Sequence, residues 1–120
     1  VQHALDHGCD RLVVILSKPK GFRMKPQGGK AAYTLALKRK YPKIVEALNH
    51  RHKMYNRQME LLESLEAQGK AMVFRPSGDI QIGTYTTDPA VMKQLYENGL
   101  DDAEKEMKEL KDFLYGKKNG

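Results

Sequence analysis

The chain has 120 residues, 40% of them apolar and 30% charged, with a formal net charge of +6. That length suits one domain, and the apolar share excludes a globally disordered chain. No apolar run approaches the ~18 residues of a membrane span, no stretch reads as a signal peptide, and the lone Cys9 excludes an internal disulfide and fits a reducing compartment.

The charge is uneven. Residues 1–60 carry 13 Lys and Arg against 4 Asp and Glu, whereas residues 61–120 carry 8 against 11. A basic half invites an anionic partner, but its cations are spread over several predicted elements, which is also how a solvated face looks.

In chain order, a short helical segment ends at Gly8 and an unbroken apolar run, Leu12 to Leu16, follows. Such a run predicts a strand buried on both faces, so the opening reads as the interior of an α/β protein. Residues 17–30 form a loop punctuated by Pro19, Gly21, Pro26, Gly28 and Gly29 and lined by Lys18, Lys20, Arg23, Lys25 and Lys30. A helix is expected from Lys30 to Lys40. Pro42 then opens the longest helix, about 43–68, whose stripe runs Ile44, Leu48, His52, Tyr55, Met59, Leu62, Glu66, with Gly69 as its stop.

Ala71 to Phe74 is a second apolar strand, and Ile80 and Ile82 suggest a third short extended piece. Thr87-Asp88-Pro89 starts a helix expected to stop at Asn98-Gly99. A last helix is expected from Asp101 to Tyr115 on a stripe of Met107, Leu110 and Leu114, and residues 117–120 form a frayed tail. The expected fold class is therefore α/β and mostly helical, with a small parallel sheet. A β-α-β unit with a long helical crossover precedes two C-terminal helices, all in one domain over residues 1–116.

Four segments resemble the carboxy-terminal part of bacterial patatin-like phospholipases. Val1-Gln2-His3-Ala4-Leu5 with Gly8-Cys9-Asp10 is similar to the stretch after that family's Asp-Gly-Gly turn. Lys18-Pro19-Lys20-Gly21-Phe22-Arg23 resembles the basic loop of one bacterial subgroup. Tyr41-Pro42 with Arg51-His52 and Tyr55-Asn56 resembles its long helix, and Arg75-Pro76-Ser77, Asp88-Pro89 and Leu95-Tyr96 through Gly99 to Asp102-Ala103 its final segment. The resemblance covers about residues 1–104. It implies a parent enzyme that hydrolyses lipid acyl esters through a Ser–Asp dyad and an upstream Gly-rich oxyanion loop. It also implies that the chain begins just after the catalytic Asp.

The catalytic residues do not carry over. The three serines, Ser17, Ser64 and Ser77, all lack the Gly-x-Ser-x-Gly frame that builds a strained nucleophile elbow, and Asp79 follows Gly78 rather than preceding a Gly pair. The chain is expected to be inactive alone, with no catalytic residue, no metal and no cofactor of its own. His3 and His7 lie four apart near Cys9, a spacing zinc can use, but a third and fourth ligand are lacking. His52 is expected to be a buried, hydrogen-bonded histidine, Tyr55 a core residue, and Arg51 and Asn56 to fix loops. Met54, Met59, Met72, Met92 and Met107 are expected to fill the core.

Lys18, Lys20, Arg23 and Lys25 are the candidate surface for anions or lipid, because they sit at the C-terminal end of a parallel strand. The expected function is the non-catalytic C-terminal portion of a lipid acyl hydrolase. A module docking the parent on anionic membranes is the alternative, and a small basic nucleic-acid-binding protein a further one. The expected partners are the rest of the patatin domain, an anionic lipid surface, and a second copy through exposed strand edges. No nucleic-acid partner is expected, since only Phe22 could stack on bases in the loop. The expected setting is cytoplasmic, peripheral to the membrane.

Overall fold

The computed structural model describes residues 1–77 and 87–116. Ile80, Ile82 and the tail 117–120 lie outside the described residues. The element order is α1 (Gln2–Asp6), β1 (Leu12–Ile15), α2 (Lys30–Leu37), α3 (Pro42–Ala67), β2 (Ala71–Phe74) and α4 (Pro89–Tyr115). This is an α/β fold, mostly helical, with the expected small parallel sheet. β1 and β2 pair in parallel, with Leu12 opposite Ala71 and Ile15 opposite Phe74.

α3 begins on Pro42, whose missing N–H costs nothing in a first turn. It ends in a Schellman turn. Gly69, at φ +67°, donates its N–H to the Glu66 carbonyl at 3.0 Å, and Lys70 donates to Leu65 at 2.9 Å. The Lys70 carbonyl then accepts from Leu12 N–H at 2.9 Å, so the helix stop delivers the chain directly into β2 beside β1.

The core is small. Leu12, Leu62, Leu65, Ala71 and Val73 cluster where α3 crosses the sheet, and Leu62 alone is wholly shielded at 0% exposure. A 26-residue helix is roughly 39 Å long, whereas a four-residue strand covers roughly 13 Å. The N-terminal half of α3 therefore overhangs the sheet, and α2 packs against it instead. The radius of gyration, 18.1 Å, exceeds the ~14 Å of a compact chain this long, consistent with two long helices projecting past a short sheet.

β1 has cover on one face only: Val13 is 41% and Ile15 81% exposed, while Leu12 faces α3, so the apolar run lacks the second cover that such a strand calls for. α4 lies over the other face at β2, where Met72, the partner of Val13, is 7% exposed. An apolar run reports what a strand tolerates, not which neighbours it has. Two expectations are corrected below.

The two expected C-terminal helices are one, α4, of 27 residues. It starts as foreseen, with Asp88 Oδ1 accepting from Ala90 N–H at 2.9 Å ahead of Pro89. Gly99 does not stop it, because Gly99 is not among the glycines with positive φ. The helix runs on through it at a cost of about 1 kcal/mol relative to Ala. The inward side chains include Val91, Leu95, Leu110 and Phe113, whereas Met107 and Leu114 are 41% and 42% exposed. Nor are all the methionines core: Met72 is buried and Met59 half-buried, but Met54 and Met92 are 57% and 50% exposed.

A Cβ at Gly99 would meet nothing within 4 Å. Gly99→Ala is accordingly expected to stabilise the protein by about 0.5–1 kcal/mol, read by thermal or urea unfolding. Destabilisation would mean that the helix breaks there.

Candidate functional site

The sequence-predicted site is the loop at the C-terminal end of β1. β1 passes into it with Leu16 N–H donating to the Phe74 carbonyl at 2.9 Å. The loop folds back over α3 and is fastened there at several points. Asn56 acts as a surrogate strand partner: its Oδ1 accepts from Met24 N–H at 2.8 Å and its Nδ2 donates to the Met24 carbonyl at 3.1 Å. The Phe22 ring stands edge-on to Tyr55 with centroids 5.9 Å apart. Asn56 thus fixes a loop as expected, and Tyr55 is half-buried beneath it.

The four candidate cations divide. Arg23 Nη2 donates to Glu63 Oε2 at 2.7 Å. Lys18 Nζ lies 5.4 Å from the Phe22 ring centroid, a cation–π distance. Lys20 and Lys25 are exposed. The loop is therefore a strapped-down segment with two of its cations engaged inside the protein.

Beside it, a second ion pair closes the C-terminal end of the sheet. Arg75, just past β2, donates to both carboxylate oxygens of Glu66 at 2.8 and 2.7 Å. This fork geometry is the strong form of the Arg–carboxylate pair. Hydrogen bonding to Arg75 holds the Glu66 carboxyl below its ordinary range, against the opposing effect of burial, and the charges of Arg75 and Lys20 add to it. Hydrogen bonding to Arg23 lowers Glu63 likewise. The cleft between the loop and α3, bordered by Leu16, Phe22, Met59, Glu63 and Arg75, encloses about 10 Å³. That is room for one water, not for a substrate.

Two residues further on, Ser77 meets α4. Its N–H donates to Asp102 Oδ2 at 2.8 Å and its hydroxyl to Oδ1. Both bonds from Ser77 hold the Asp102 carboxyl below its ordinary range. A Ser–Asp contact invites a catalytic reading, but a carboxylate stabilised in its charged form by its own serine is a weak base toward it. Ser77 also lacks the glycine frame of an elbow, with Pro76 before it. The contact is a clamp that fixes the exit of β2 to α4. At the far end of the helix the Phe113 carbonyl accepts from Arg11, just before β1.

Of the other residues singled out, His7 Nδ1 donates to the His3 carbonyl at 2.8 Å, and the two rings lie 4.2 Å apart. Among the described residues no three His, Cys, Asp or Glu gather in a way that could hold a metal ion. His52 is half-buried rather than buried, and its shielded Nδ1 meets no partner among the described residues. Sequence reasoning missed Glu63 and Glu66 as anchors of the loop and of Arg75. Their one signal was position: two acids three apart on α3, following a strongly basic stretch.

The geometry defines an α/β unit whose ionic side chains tie its own elements together. The chain belongs to the family described as a domain of unknown function (DUF6363), which matches residues 41–115. The match opens at Tyr41, the N-cap of α3, and closes at Tyr115, the last residue of α4, so it takes in β2 and leaves β1 outside. No curated protein and no solved structure matches the chain. No helix among the described residues is long and apolar enough to cross a membrane.

Proposed function

We propose that this chain is the non-catalytic carboxy-terminal portion of a patatin-like phospholipase, and that it completes the sheet and covering helices of that acyl hydrolase. The observation that supports this reading is the bare outer face of β1. Val13 and Ile15 are exposed on a two-stranded parallel sheet, and parallel strands are ordinarily covered on both faces. Further strands beside β1 and a helix over Ile15 would supply the cover. The ion pairs at the strand ends then serve to hold loops in place, and chemistry belongs to the parent's serine and aspartate. The same bare edge would favour pairing with a second copy when the chain is alone. The reading carries a cytoplasmic setting, which the exposed free thiol of Cys9 suits.

The purified chain is expected to release no p-nitrophenol from p-nitrophenyl butyrate above the blank rate. A longer chain that continues upstream of Val1 is expected to carry Gly-x-Ser-x-Gly and Asp-Gly-Gly and to hydrolyse the ester in a serine-dependent way. Turnover by the short chain that is lost in Ser77→Ala would overturn the reading. So would an upstream sequence without those two motifs.

A further inference from the structure

Between Asp10 and Glu46 the chain has ten basic residues and no acidic one. The fold engages Arg11 with Phe113, Lys18 with Phe22 and Arg23 with Glu63. Lys40 lies 5.4 Å from the Tyr41 ring centroid. The largest remaining group lies on α2 and the corner that follows it: Lys30, Lys38, Arg39 and Lys43, all exposed.

α2 has two dissimilar sides. Tyr33 and Leu37 are half-buried, and the Tyr33 hydroxyl donates to Asn49 Oδ1 of α3 at 2.8 Å. The other side, Lys30, Ala31, Thr34 and Leu35, lines a shallow open groove together with Lys38 and Arg39 just past the end of the helix. In its midst Leu35 is 88% exposed, the barest large apolar side chain among the described residues. A helix face built for solvent alone mixes charges of both signs and has no need of such a leucine. Cations of one sign around a projecting aliphatic tip match a charged bilayer, where the tip enters the acyl boundary and the ammonium and guanidinium groups meet lipid phosphates.

We propose that α2 is a docking surface for an anionic bilayer, with Leu35 entering the headgroup boundary and Lys30, Lys38 and Arg39 facing lipid phosphates. The proposal moves lipid contact from the strapped loop to the helix beyond it, and it stands apart from the sheet-completion reading. A nucleic acid is the less fitting occupant. It would use the cations, but Leu35 offers no ring to stack on a base.

The test is co-sedimentation of the full chain with phosphatidylcholine vesicles, with and without about one third phosphatidylglycerol, at low and high salt. Binding is expected to the anionic vesicles only and to weaken as salt rises. Lys30→Gln, Lys38→Gln and Arg39→Gln together should weaken it about a hundredfold, and Leu35→Ser alone about tenfold. Lys20→Gln with Lys25→Gln should weaken it less than the α2 triple variant does. All these side chains are exposed, so the variants should keep the wild-type far-UV circular dichroism and melting point. Equal binding to neutral and anionic vesicles, no binding to either, or binding indifferent to Leu35→Ser would overturn the proposal. Tight binding of a single-stranded oligonucleotide that survives Leu35→Ser, without vesicle binding, would reassign the surface to nucleic acid. None of these outcomes bears on ester hydrolysis by a longer chain, so the two readings fail separately.

Discussion

Leu62→Ala is expected to destabilise the protein by about 3 kcal/mol, the middle of the range for truncating a buried leucine. Leu62 is the one wholly shielded large side chain among the described residues, and it touches the cluster of Leu12, Leu65, Ala71 and Val73. The cost has two parts: the apolar surface no longer withheld from water, and a cavity that so small a core, pinned by two four-residue strands, closes only in part. Domains of this size are stable by about 5–15 kcal/mol, so a loss of that order removes a large share. Ile44→Ala is the internal comparison. Ile44 lies on the same stripe but is 48% exposed, and its truncation should cost below about 1 kcal/mol. Urea unfolding followed by circular dichroism reads both. Equal effects at the two positions would mean that the core does not lie where α3 crosses the sheet.

Arg75→Met should be the most damaging single change among the polar groups, at about 2 kcal/mol near neutral pH. It removes both hydrogen bonds to Glu66 and leaves that carboxylate, 35% exposed, without its guanidinium, whose own side chain is only 13% exposed. The loss should depend on pH in a definite sense. The folded state holds Glu66 below its ordinary value, so the unfolded state takes up the proton first as pH falls. The contribution is therefore fully present above the unfolded carboxylate value of about 4.3 and disappears as pH drops through the lower folded value. The stability gap between wild type and Arg75→Met should accordingly stay constant from pH 7 to about 5 and narrow below that. Glu66→Gln combined with Arg75→Met should recover part of the loss, because no unpaired charge remains. A gap that widens in acid would show that the pair does not stabilise the fold.

The sequence made local features legible. Pro42 and Gly69 bracket α3, Asp88-Pro89 opens α4, and the two apolar runs became the two parallel strands. Each rests on chemistry within a few residues. What escaped depends on partners far along the chain. The Leu12–Leu16 run calls for cover on both faces, and the rest of the chain is short of elements to supply it, but which residues lie bare, Val13 and Ile15, depends on where α3 and α4 sit. Gly99 has identical local credentials as a stop and as a tolerated interior residue. Contacts spread along α4, from Ser77 at Asp102 to Arg11 at Phe113, accompany its continuity. In the candidate site, Asn56 was foreseen as a loop anchor. Glu63 and Glu66 were not, because their guanidinium partners lie 40 and 9 residues away.

The span shared with the DUF6363 family holds β2 and omits the strand it pairs with. In this chain that span thus carries half of a hydrogen-bonded ladder. On its own it would present Ala71–Phe74 to water with no ladder partner from β1, and Leu12 would be missing from the small core. In this chain, therefore, the span shared with the family and the span that closes the sheet have different borders, and the boundary between them falls between two paired strands.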